Sequence, residues 1–149
     1  MKLLLQRVRA ASVEVADQLV SSIDQGLLVF CGLEASDEVG DSHTLDLIKR
    51  KVRRLCHYRV FADDQGKMNL SCLDKGYPIL LVSQFTLAAD TNKGLRPSFS
   101  NTCPPDDAKR LFETVVDLIE DEGVRVKTGQ FGADMQVALI NDGPVTFML

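Results

Sequence analysis

The chain of 149 residues carries 17 Lys and Arg against 21 Asp and Glu, a net charge of −4. That balance excludes a protein that coats nucleic acid with a broadly basic surface, because phosphate neutralisation takes many clustered cations. With 45% hydrophobic and 26% charged residues, the composition fits one globular domain spanning residues 1–149, able to bury roughly two-thirds of its unfolded surface, and excludes a disordered, collagenous or disulfide-scaffold chain.

In chain order, Leu3 to Val8, Ser12 to Ala16 and Leu19 to Ile23 are short Val- and Leu-rich runs broken by polar turns such as Asp17-Gln18, and they read as strands. Gly26 opens Leu27-Leu28-Val29-Phe30-Cys31, an apolar run short enough for a central strand buried on both faces. From Asp41 to His57 the period changes: Leu45, Ile48, Val52 and Leu55 recur at helical spacing, and Lys49, Arg50, Lys51, Arg53 and Arg54 fill the other faces. Tyr58–Phe61 and Lys67–Leu70 flank the turn Asp63-Asp64-Gln65-Gly66, and Tyr77 to Ser83 forms a further strand. A second helix starts at Pro104-Pro105, carries the stripe Ala108, Leu111, Phe112, Val115, Leu118 and Ile119, and stops at Gly123. Val124–Lys127 and Met135–Ile140 read as strands, after which a tight Asn141-Asp142-Gly143 turn leads through Pro144 into a last strand, Val145–Met148. The expected architecture is α/β, a single domain with a curled, mainly antiparallel β-sheet or barrel and two main helices.

Familiar site chemistry is missing. The four cysteines, Cys31, Cys56, Cys72 and Cys103, form no CxxC pair, no secretory leader precedes them, and His43 and His57 lie 14 positions apart, so neither a metal framework nor a disulfide framework is expected. A GxSxG elbow, a P-loop and a dinucleotide fingerprint are all absent, and no cofactor is expected. No apolar run approaches the roughly 18 to 20 residues of a membrane span, and the expected location is the cytoplasm.

Three strings do not serve simple core packing. Ser83 to Asp90, SQFTLAAD, places the polar groups of Ser83, Gln84 and Thr86 where a buried strand ends; this is either a strand running into a capped polar turn or a binding segment. Lys93 to Ser100, KGLRPSFS, is either a solvated loop or a phosphate contact through Lys93 and Arg96. Asn141 to Phe147, NDGPVTF, sets Pro144 directly after Gly143 and so removes an N–H that a strand would use. Neither Ser83 nor Thr86 has a histidine within its motif to act as a base.

Taken together with Gln6-Arg7-Val8, GLLVF (26–30), YRVF, GKMNLS and TGQFGADMQV (128–137), these strings resemble those of the D-aminoacyl-tRNA deacylases, and the likeness runs nearly end to end. The resemblance implies a homodimer that hydrolyses the ester joining a D-amino acid to the 3′ end of tRNA. It implies active sites at the dimer interface, with no DNA or membrane partner. It implies that Ser83, Gln84, Phe85 and Thr86 of one subunit face Gly143 and Pro144 of the other, across a cis Gly-Pro bond with both carbonyl oxygens projecting into the neighbouring pocket. Arg7 is expected to hold that motif in place, and Phe85, Phe131 and Met135 to line the pocket for the aminoacyl-adenosine end. Backbone N–H groups at Phe85 and Thr86 would serve a developing oxyanion, the ribose 2′-hydroxyl would assist hydrolysis, and Thr86 would orient rather than attack. A catalytically inactive tRNA- or nucleotide-binding dimer and a purely structural dimerisation domain are the alternatives. The cationic helix reads either as a solvated face or as a contact for acceptor-stem phosphates.

Overall fold

A computed structural model describes residues 1–92 and 94–149. Lys93, one of the two candidate phosphate-binding cations, lies outside the described residues.

The first strand, β1 (Lys2–Val15), organises the sheet. Along one edge it pairs antiparallel with β2 (Gln18–Ile23) and β3 (Gly26–Gly32). Ala11 faces Ile23 and Val8 faces Gly26 in one register, so β2 and β3 act as a single long strand interrupted at Asp24-Gln25. Beyond β3 the sheet becomes parallel, through β6 (Ile79–Ser83) to β7 (Val126–Thr128). The last strand, β8 (Gln136–Met148), runs antiparallel along the other edge of β1. The sheet curls until its far ends meet: Ser21 Oγ of β2 donates to the Thr128 carbonyl at 2.8 Å, and Lys127 Nζ of β7 donates to the Ser22 carbonyl at 2.7 Å. A small hairpin, β4 (Phe61–Ala62) with β5 (Met68–Leu70), stands apart. The antiparallel pairs predominate, as the sequence suggests, and the nearly closed sheet is mixed.

Two apolar layers follow from strand alternation. Leu28, Leu80, Val82, Val8, Val13 and Ile23 fill the inside of the curl. Leu3, Leu5, Leu27, Val29, Ile79 and Leu81 face the opposite way, onto α1 (Ser42–Cys56) and α3 (Pro105–Asp121). Both helices are where periodicity predicts them: Asp41 caps α1 by accepting from the Thr44 amide, and Pro105 opens α3. Periodicity misses α2 (Cys72–Lys75), which is only four residues long but carries a full capping box between Ser71 and Asp74.

Three expectations change. The expected strands Leu3–Val8 and Ser12–Ala16 are one strand, since Arg9 and Ala10 stay extended and Ala10 pairs with Ile140; β1 slips register against β8 between Gln6 and Val8 and again between Val8 and Ala10, which breaks the two-residue period. The strand expected at Tyr58–Phe61 is instead the two-residue Phe61–Ala62, which shares only Phe61 with it. The Asn141-Asp142-Gly143 turn does not reverse the chain: Asn141 pairs with Val8 and Thr146 with Gln6, so both halves of β8 lie on the same neighbour, and residues 142–145 bulge out opposite Arg7.

Candidate active site

The SQFT segment is built by close backbone approach. At the end of β6, the Gln84 amide donates to the Cys31 carbonyl at 2.8 Å, and the chain turns at once into a short 3₁₀ helix, Phe85–Ala88. Gly32 permits this: a Cβ there would lie 2.7 Å from Leu87 Cβ and 2.9 Å from the Gln84 carbonyl oxygen. The Phe85 and Thr86 amides, at the start of that turn, have no acceptor among the described residues. Thr86 Oγ1 takes a hydrogen bond from the Gln84 side-chain amide, a neutral donor that cannot act as a base.

Behind this segment opens a cavity of about 670 Å³ between β6, the start of α3 and the loop before β8. Ser83, Gln84, Phe85, Phe131 and Met135 all line it, so the structure brings together five of the residues singled out from the sequence. Thr86 lies beside them on the exposed rim. Its walls are mainly apolar, and two aromatic pairs shape it: Phe131 tilts against Phe112 with centroids 5.8 Å apart, and the exposed Phe85 tilts against Phe99 at 5.2 Å. Pocket residues the sequence reading passed over include Thr102, Cys103, Ala108, Phe112, Ala133 and Asp134. The only signal for Ala108 and Phe112 was membership of a helix stripe that also serves the core. Neither histidine lines the cavity. Two thiols do, and burial pushes that of Cys31 up to about 12 and raises that of Cys103, so both are protonated at neutral pH. Asp134 is the carboxylate of the described lining, and neither the Ser83 nor the Thr102 hydroxyl is hydrogen-bonded to it; Thr102 Oγ1 donates to the Phe99 carbonyl instead.

Gly143 and Pro144 lie elsewhere. β1 and β3 separate β8 from β6, and Arg7 sits four residues along from Leu3, whose β3 partner Cys31 pairs with Ser83. The bulge and the SQFT segment are thus about 20 Å apart along the sheet surface. The Gly143-Pro144 bond is cis, and both residues are exposed. Gly143 has φ +146°, and a Cβ on it would meet Val145 Cγ2 at 2.6 Å, so only glycine suits the position.

Arg7 does hold this bulge. Its Nε donates to the Asp142 carbonyl at 2.9 Å and lies 3.4 Å from the Asp142 carboxylate, while Nη1 donates to the Val60 carbonyl. Arg9 adds a second cation at 3.3 Å from Asp142. A clasp the sequence reading missed completes the support: Asn141 Oδ1 accepts from the Val145 amide at 2.7 Å, and its Nδ2 reaches the Val145 carbonyl and Thr146 Oγ1. The side chain thus satisfies backbone groups that the bulge takes out of the ladder.

The sequence of this chain matches the D-Tyr-tRNA(Tyr) deacylase family over residues 4–149. The chain belongs to that family. Relatives named D-aminoacyl-tRNA deacylase include one from Pseudomonas putida (strain W619), 53% identical over 149 residues, covering all of this chain and 99% of that protein. Another, from Saccharophagus degradans (strain 2-40 / ATCC 43961 / DSM 17024), is 50% identical over the same span, again covering all of this chain and 99% of that protein. Among solved structures, one titled "c-Myc DNA Unwinding Element Binding Protein" is 38% identical with a TM-score of 0.91, covering all of this chain and 97% of its own. A probable eukaryotic D-amino acid tRNA deacylase, 19% identical with a TM-score of 0.85 over 99% of this chain and 97% of its own, shares the fold. In this deacylase-family chain, then, the SQFT segment and the Gly-Pro bulge lie on different strands, separated by β1 and β3.

Proposed function

We propose that the protein hydrolyses the ester between a D-amino acid and the 3′ end of tRNA, acting in the cytoplasm as a homodimer. The observation that carries this reading is a mainly apolar cavity at the end of β6 together with an exposed, braced cis Gly143-Pro144 bulge about 20 Å away along the sheet surface. A second copy supplies each with its complement. β8 offers the means of pairing: its outer edge has no partner strand among the described residues, and Leu139, Ile140, Phe147 and Met148 are exposed on it.

In the assembled site the cavity receives the terminal adenosine and its aminoacyl group, with Phe85, Phe131 and Met135 against the apolar surfaces. The partner's Gly143-Pro144 backbone approaches the α-carbon closely because Gly143 has no side chain. Its carbonyl oxygens accept from the substrate's ammonium group, and the space left admits a hydrogen, but no side chain, on the side where an L-residue projects one. Discrimination is by excluding the wrong enantiomer, so glycine passes as well. The unpaired amides of Phe85 and Thr86 stabilise the oxyanion formed as water adds to the ester carbon. Thr86, hydrogen-bonded to a neutral amide, orients Gln84 and the turn, and the ribose 2′-hydroxyl assists the reaction. The reading includes neither DNA, a membrane nor a cofactor.

The test is turnover of D-tyrosyl-, glycyl- and L-tyrosyl-tRNA by the purified protein. Cleavage of the first two with the third left intact is expected. Rapid cleavage of L-tyrosyl-tRNA, or none of D-tyrosyl-tRNA, refutes the reading.

A further inference from the structure

We propose that the C-terminal half of α1 binds the phosphates of the tRNA acceptor stem on behalf of the other subunit's cavity. The inference rests on the reading above, in which the Gly143-Pro144 bulge serves a second copy.

The negative net charge is unevenly spread. Within α1 a single acid, Asp46, accompanies Lys49, Arg50, Lys51, Arg53 and Arg54, whereas α3 carries six acids against Lys109 and Arg110. Lys49, Arg50, Arg53, Arg54 and the following Arg59 are exposed, and none has an ion-pair partner among the described residues. Cations in the last turn stabilise a helix through its dipole. That accounts for Arg53 and Arg54, and Arg59 beyond the end donates to Asn69 Oδ1 at 3.2 Å, but neither accounts for Lys49 and Arg50 further back.

Position decides what the patch serves. The two helices run the same way: Cys103 Sγ, just before α3, contacts the Asp37 carbonyl just before α1, and His57 Nε2 meets Glu122 Oε2 at 3.1 Å where both helices end. The cavity lies along the first half of α3, against Pro105, Ala108 and Phe112, so the end of α3 at Asp121 lies about 14 Å beyond it. The basic end of α1 is instead linked to the bulge. The Arg54 guanidinium lies 5.7 Å from the Tyr58 ring centroid, Tyr58 packs edge-on against Phe147 at 5.5 Å, and Arg7 joins the Val60 carbonyl to that of Asp142. Wherever the bulge goes, the cations go with it. A bulge that closes the partner's cavity carries them toward the mouth from which the acceptor stem leaves.

The experiment neutralises Lys49→Gln, Arg50→Gln and Arg53→Gln together and compares D-tyrosyl-tRNA with D-tyrosyl-adenosine, which carries the same ester but no stem. The expected result is a KM for the tRNA raised about tenfold or more, a log KM against log salt slope shallower by about two, and unchanged turnover of the small ester. Equal KM and slope in variant and wild type overturn the inference while leaving the deacylase reading intact; failure of the wild type on both substrates overturns both. Mixed dimers separate the subunits. When the neutralised chain is paired with a chain whose cavity is filled by Ala133→Trp, the working cavity is served by an intact helix and KM stays at the wild-type value. With both changes on one chain and none on the other, KM rises. The reverse pattern overturns the assignment to the partner's cavity.

Discussion

The two regions of the sheet solve opposite problems. At the Ser83 end the backbone closes around empty space: Gly32 draws the 3₁₀ turn onto β3, and mainly apolar side chains from several elements leave a cavity. At the Gly143 end the backbone is pushed out into solvent and then braced from behind by Arg7, Arg9 and Asn141. The cavity end uses backbone to make room, and the bulge end uses side chains to make backbone stiff. On the proposed reading the bulge reaches into another subunit and has to be rigid without a cavity wall to lean on; the polar scaffold behind it is the means.

The sharpest way to break the contrast is Gly143→Ala. A Cβ placed 2.6 Å from Val145 Cγ2 at φ +146° displaces the bulge, and single-turnover hydrolysis of D-tyrosyl-tRNA is expected to fall by at least about 100-fold. The melting temperature should fall by a few degrees, because the Cβ is strained at this φ and presses on the buried Val145. Arg7→Lys attacks the brace: lysine cannot serve the Asp142 and Val60 carbonyls together as the guanidinium does, and a loss of roughly 10- to 100-fold in kcat/KM is expected. At the cavity end, Phe131→Ala removes a lining ring and its contact with Phe112; KM is expected to rise about tenfold with kcat little changed. Thr86→Ala sharpens the mechanism, since an orienting role predicts less than about tenfold loss in kcat, whereas about 10³-fold would make it the nucleophile.

The smallest effect lies away from both ends. Backbone amides hold three carboxyls below their ordinary range: that of Thr44 on Asp41, of Lys67 on Asp63 and of Ser71 on Asp74. Depressed folded values contribute stability that is present above the unfolded value, near about 3.9, and is lost as pH falls through the folded ones. The melting temperature should therefore fall as pH drops below about 4, and Asp74→Asn should flatten that fall slightly.

Both large helices and most strands were legible, because their apolar residues repeat at a fixed period. What escaped was irregular. β1 hides its continuity behind two register slips, the four-residue α2 is too short for a period, and the bulge reads as a turn because Asn-Asp-Gly is turn chemistry wherever it occurs. The site residues divide likewise. Ser83, Gln84, Phe85, Phe131 and Met135, singled out from the sequence, line one cavity, whereas Asn141 and the Val60 carbonyl could not be read. A backbone carbonyl leaves no trace in residue identity, and an asparagine before Asp-Gly has an ordinary explanation.

The central claim is that cavity and bulge work only across two chains, and subunit mixing tests it most directly. Gly143→Ala and Ala133→Trp chains are each expected to be nearly inactive on D-tyrosyl-tRNA. After unfolding and refolding together in equal amounts, half the dimers are mixed and each holds one sound cavity facing one sound bulge, so about a quarter of wild-type activity should return. No recovery from a preparation shown to contain mixed dimers would contradict the account.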